Sequence, residues 1–115
     1  MYEVEIYTDE NGKSELADWI AALKRRKDRG VKEARIQFEQ VIYCIERIRV
    51  DGTFVPEEIA KHIDEGIWEL RPGYNRVMFF HFRNGQFILL NHFRKTTNET
   101  PAREIRKAKT LRNDW

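Results

Sequence analysis

Apolar residues alternate at Tyr2, Val4 and Ile6 against Glu3, Glu5 and Tyr7, a period of two that predicts a half-buried strand. After the turn residues Asp9-Glu10-Asn11-Gly12 the period lengthens. Leu16, Trp19, Ile20 and Leu23 share one face of a helix predicted over Ser14–Lys27. Ser14 suits its N-cap, Glu15 and Asp18 its positive end, and Lys24-Arg25-Arg26-Lys27 its negative end, with Gly30 as the stop. Phe38, Val41, Ile42, Ile45 and Ile48, with Ile36 partly on the same face, predict a second helix over Lys32–Arg49. The short Gly-containing link makes the two a helical hairpin. Residues 54–65 carry the weakest periodicity, and Pro56 predicts a short turn of helix over Glu57–His62.

Period two returns at Ile67-Trp68-Glu69-Leu70-Arg71, before a Pro72-Gly73 turn. Strands follow at Arg76–Arg83 and Gln86–Lys95. Asn84-Gly85 between them is the signature of a two-residue hairpin with positive φ at both positions. Pro101 opens a last helix, to Asp114, on which Ala102, Ile105, Ala108 and Leu111 form a thin apolar stripe. The order β-α-α-β-β-β-α predicts a single α+β domain over residues 1–115. It consists of a small antiparallel-rich sheet with the N-terminal helical hairpin on one face, and a C-terminal helix.

A regular hairpin about Asn84-Gly85 pairs Arg76 with Phe93, Val77 with His92, Phe79 with Leu90 and His81 with Ile88. One face then holds Arg76, Met78, Phe80, Phe87, Leu89, Asn91, Phe93 and Lys95. The other holds Val77, Phe79, His81, Ile88, Leu90, His92 and Arg94. One bulge would exchange part of this assignment. With helices over one face, the other is expected to be an open aromatic and basic surface, its cations gathered at the Arg76/Lys95 end. Cations beside aromatics suit single-stranded RNA, because they neutralise phosphate while the rings stack unpaired bases.

Charge sharpens this picture. The first 64 residues carry 11 Lys and Arg against 14 Asp and Glu, whereas the remaining 51 carry 10 against 5. The basic excess therefore coincides with the aromatic hairpin. A charged share of 35%, against a usual figure of about 25%, and a mean hydropathy of -0.71 describe a globular surface. No apolar run reaches the length of a membrane span, and the N-terminus lacks a secretory pattern. The single Cys44 cannot form an internal disulfide, which suits a reducing cytoplasm, and its helical position marks it as a small structural side chain. His62, His81 and His92 show no metal-ligand spacing, so neither a metal nor another cofactor is expected. His92, at the basic end of the hairpin, is the histidine suited to acid–base work. Phosphate-binding glycine loops and a GxSxG elbow are absent from the sequence.

Three ordered blocks carry a more specific signal: Ile67-Trp68-Glu69-Leu70-Arg71, Asn75-Arg76-Val77-Met78-Phe79-Phe80, and the run from Phe87 through Asn91-His92-Phe93-Arg94-Lys95 to Pro101. Together they resemble the phage-derived Gp49-like group of RelE/HigB toxins, within the RelE/ParE superfamily. The resemblance implies a type II toxin that cleaves mRNA, usually on the translating ribosome, without a metal. It implies neutralisation by a helix-turn-helix antitoxin, with operator DNA reached only through that antitoxin. Arg71 and Arg76 match the arginines of the first two blocks, and Phe93, Lys95 and Pro101 match the third. Thr96 and Glu99 stand where the pattern has its second and third lysines, a loss that Arg94 is placed to offset.

In such a site the 2′-hydroxyl of RNA attacks the adjacent phosphate. The protein orients that attack and offsets charge on the transition state. Arg71 and Arg76 would supply fork-shaped donors and Lys95 a further charge. Phe93 would stack a base, and Arg94, His92 and Lys107 would add RNA contacts. Two alternatives share the fold: a ParE-type toxin that binds gyrase, and a non-catalytic co-repressor acting with its antitoxin.

Overall fold

The computed structural model describes residues 1–115. Strand β1 (Glu3–Ile6) leads to helices α1 (Glu15–Asp28) and α2 (Lys32–Asp51). Strands β2 (Ala60–Asp64), β3 (Ile67–Leu70), β4 (Asn75–Arg83) and β5 (Gln86–Arg94) follow, and helix α3 (Ala102–Asp114) closes the chain. The five strands form one sheet in the order β1-β5-β4-β3-β2. All neighbours are antiparallel except β1, which runs parallel to β5 with Val4 opposite Phe87. The α+β class stands, with one strand more than the sequence pattern predicts.

That extra strand is β2, where a turn of helix was expected over Glu57–His62. The register slips between His62 and Asp64, so residues 60–64 never complete a clean alternation. Glu65 and Gly66 both have positive φ, 42° and 81°. Positive φ at both turn positions, expected at Asn84-Gly85, is thus found between β2 and β3, while Asn84-Gly85 remains the two-residue link between β4 and β5. At Asn84-Gly85 only the glycine has positive φ (74°), and a shift between His81 and Arg83 absorbs the difference.

The helices form where capping and spacing dictate. Ser14 takes an extended conformation and its Oγ accepts from the Ala17 amide at 3.1 Å, closing the start of α1. Helix α2 runs to Asp51 and ends at Gly52, with φ of 64°. A Cβ at Gly52 would lie 2.7 Å from the Tyr2 ring, so both backbone and packing require glycine there. The buried stripe of α2 is Ala34, Val41, Cys44 and Ile48. Cys44 thus lies within the stripe, while Ile36 and Ile42 are exposed.

Both faces of the sheet are covered, which corrects the expectation of an open face. Leu16, Cys44 and Ile48 of the helical hairpin pack on Leu70, Val77, Phe79, Phe87 and Leu89. Ala108, Ile105 and Leu111 of α3 pack on Ile67, Met78, Phe80, Ile88 and Leu90. The division differs from a regular hairpin because the β4–β5 register shifts between Met78 and Phe79. On the loop side of that shift Phe79 faces Leu89 and His81 faces Phe87, so Phe87 and Leu89 join the Val77 face. On the far side the expected pairs Arg76–Phe93 and Val77–His92 stand.

Candidate functional site

The open end of the sheet carries a cavity of about 220 Å³ beside the N-terminus of α3. Glu69 of β3, Arg76 of β4 and Phe93 of β5 reach it from three successive strands. Arg71 and Lys95 lie just past their strands but remain anchored to the ladder. The Arg71 amide donates to the Ile59 carbonyl at 2.9 Å, and the Lys95 amide donates to the Tyr74 carbonyl at 2.7 Å. Lys61, opposite Glu69 on β2, and residues 96–101 complete the lining. The structure therefore brings together Arg71, Arg76, Lys95 and Phe93, four of the seven residues singled out from sequence.

Glu69 organises the arginines. Its side chain is 3% exposed. Oε1 accepts from Arg71 Nε at 3.1 Å and lies 3.6 Å from Arg76 Nε, while Oε2 accepts from the Thr100 hydroxyl at 2.6 Å. Arg76 Nη1 donates to the carbonyls of Gly73 and Asn75, both at 2.8 Å, and Arg71 Nη1 donates to the Glu57 carbonyl at 3.2 Å. Each guanidinium is thus fixed by Nε and Nη1, and neither Nη2 has a protein partner. Burial pulls Arg76 below its ordinary pKa, Glu69 opposing this and Arg71 adding to it. Arginine nevertheless keeps its charge at any physiological pH. Four cations, Lys61, Arg71, Arg76 and Lys95, face two carboxylates, Glu69 and Glu99, so the cavity is electropositive. Such a cavity can bind a phosphodiester and stabilise added negative charge on it. Among the titratable residues, no group of three or more His, Cys, Asp or Glu is arranged to hold a metal ion.

Three sequence-selected residues lie elsewhere: His92 and Arg94, because alternate residues of a strand point to opposite faces, and Lys107, on helix α3. His92 points to the helical hairpin. Its ring stacks on Trp19 at 3.5 Å between centroids, and its Nε2 donates to Asn75 Oδ1 at 3.0 Å. The Asn75 amide in turn donates to Gln37 Oε1 of α2 at 3.0 Å. Burial, aided by Arg94, pushes the His92 pKa down to about 4. This half-buried imidazole ties the helices to the sheet and lies outside the arginine cavity, away from the acid–base position expected of it. Arg94 sits over the Tyr74 ring, 5.9 Å from its centroid, in a separate cleft against α2. It does not replace the two absent lysines. Lys107 pairs with Glu15 at 2.6 Å near the start of α1 and holds that carboxyl below its ordinary range.

Sequence reasoning missed Lys61, Thr100 and the part played by Glu69. Lys61 was hidden by the irregular register of β2. Its one sequence signal is the pair of short segments on either side of Glu65-Gly66. Glu69 is legible only as a strand residue two positions before Arg71, a spacing that puts both side chains on one face.

A family model described as "Phage derived protein Gp49-like (DUF891)" matches residues 18–113. No curated protein matches the chain.

Proposed function

Because the chain belongs to the phage-derived Gp49-like family, we propose that it is a toxin that cleaves mRNA through the Arg71/Arg76/Lys95 cavity. The observation that carries this reading is the convergence of two guanidiniums, an ammonium and one aromatic ring on a single cavity. RNA brings its own nucleophile. The 2′-oxygen forms a bond to phosphorus as the bond to the 5′-oxygen breaks, giving a 2′,3′-cyclic phosphate and a 5′-hydroxyl. The 2′-hydroxyl proton leaves to solvent or base, and the 5′-oxygen gains one.

Between these states the phosphorane-like transition state carries extra charge on its non-bridging oxygens. The free Nη2 edges of Arg71 and Arg76 would donate to them, already oriented by Glu69 and the backbone carbonyls. Lys95 would offset charge on the leaving oxygen, and Phe93 would stack the base beside the cleaved bond. No step in this route calls on a metal. The proposal extends to the setting implied by the family: a ribosome-held message, a cytoplasmic site of action, and a helix-turn-helix antitoxin that neutralises the protein and carries it to operator DNA. Inducing the protein in cells and mapping mRNA 5′ ends tests the reading. New ends and growth arrest that Arg76→Lys abolishes are expected; intact messages during arrest would overturn it.

A further inference from the structure

Beside the arginine cavity lies a second one of about 260 Å³. The two share Lys61, Arg71, Asn98, Glu99 and Thr100, and the second adds His62, Ile63 and Ile105. With five lining residues in common they are adjoining bays bordered by Asn98, Glu99 and Thr100, and Lys61 is one of the residues they share. Its charge is uncommitted. Arg71 and Arg76 are bound by Glu69, but Lys61 makes no ion pair, although Glu69 and Glu99 line the same space. His62, exposed on the edge strand β2, sits edge-on to Trp68 with centroids 5.4 Å apart. Strands lie roughly 4.8 Å apart, so the β2 and β4 backbones are separated by roughly 10 Å. That is room for consecutive backbone phosphates and more than one phosphate needs.

Resting on the nuclease reading and deepening it, we infer that the second bay is a subsite for the nucleotide next to the cleaved bond. Lys61 binds its phosphate, and the Asn98 and Thr100 side chains offer hydrogen bonds to its sugar or base. The preferred substrate is then an extended single strand that fills both bays, and a dinucleotide leaves the second bay empty. Lys61 contributes to binding and not to bond breaking.

Binding of a fluorescent 2′-O-methyl octanucleotide, which cannot be cleaved, tests this from 50 to 300 mM salt. Lys61→Ala should weaken binding roughly fivefold, the upper end for one exposed ion pair. It should also lower the slope of log K against log salt by about 0.7, the share of one single-strand phosphate. Lys61→Arg should restore the slope, and Lys107→Ala should leave it unchanged. Cleavage of an unmodified octanucleotide by Lys61→Ala should show a raised KM with kcat unchanged. Equal affinity and slope for wild type and Lys61→Ala would overturn the subsite and leave the nuclease reading standing. Lys61-dependent binding with no cleavage of any RNA, on or off the ribosome, would overturn the nuclease reading and keep the adjoining bays. Absence of octanucleotide binding by the wild type would overturn the subsite, with the nuclease reading decided by the mapped mRNA ends.

Discussion

Replacing Glu69 with glutamine removes one charge and almost no volume, at a position 2% exposed. The carboxylate holds Arg71 Nε at 3.1 Å and Arg76 Nε at 3.6 Å. At an effective dielectric of about 20 each attraction is worth roughly 5 kcal/mol before desolvation. Burying three charged groups offsets most of that, so the native triad itself is close to neutral in stability. Taking away its one negative member is different. Two guanidiniums, with side chains 23% and 11% exposed, are then left side by side without a counter-charge. Breaking a buried pair in this way costs about 3–5 kcal/mol, and Arg71, the more exposed partner, relaxes toward water and brings the figure to about 3 kcal/mol. For a domain of this size that lowers Tm by roughly 12 °C. Glutamine also presents an amide N–H to groups that are already donors, so Thr100 loses its charged acceptor. Urea unfolding of Glu69→Gln beside wild type gives the number. A midpoint change equivalent to less than about 1 kcal/mol would refute the claim that Glu69 is what holds the two arginines together.

Phe79→Ala, at a fully buried centre of the larger core cluster, should cost about 3–5 kcal/mol in the same assay. His92 has its folded pKa pushed down to about 4 against an ordinary 6.5, so the unfolded chain takes up its proton first. Stability should be complete above pH 6.5 and fall between 6.5 and about 4. The loss is about 1–2 kcal/mol once solvent screening of the half-buried ring is allowed for; a His92→Phe variant that keeps the same pH slope would disprove this assignment. Arg94→Ala and Lys107→Ala, both outside the cavity, should leave the cleavage rate within twofold of wild type in a purified assay. A tenfold loss for either would move the RNA path away from the cavity described.

Local chemistry made much of the fold legible. Ser14, the Leu16–Leu23 spacing and the Asn84-Gly85 turn each act over a few residues, and the elements they mark are present. Two of the three register shifts, those between His62 and Asp64 and between Met78 and Phe79, hid the most, because a bulge is chosen by packing on both faces of a sheet and not by its own residues. One concealed β2, and Lys61 with it. The other moved Phe87 and Leu89 to the hairpin side and let α3 cover the opposite face. The cavity escaped these errors because Arg76–Phe93 lies beyond the shift, where the regular pairing holds. Strand alternation then placed Phe93 and Lys95 together and sent His92 and Arg94 to the other side. The clamp on the arginines was not legible, since only folding brings Thr100 to Glu69 across 31 residues.

The most direct measurement is the chemistry of the ends formed when the purified protein meets an extended message, free and ribosome-bound. The account predicts 2′,3′-cyclic phosphate and 5′-hydroxyl ends. Arg76→Lys, which keeps the charge but loses the fork, should slow their appearance by roughly 10²–10³. Ends bearing a 5′-phosphate, or an Arg76→Lys protein as fast as wild type, would contradict it.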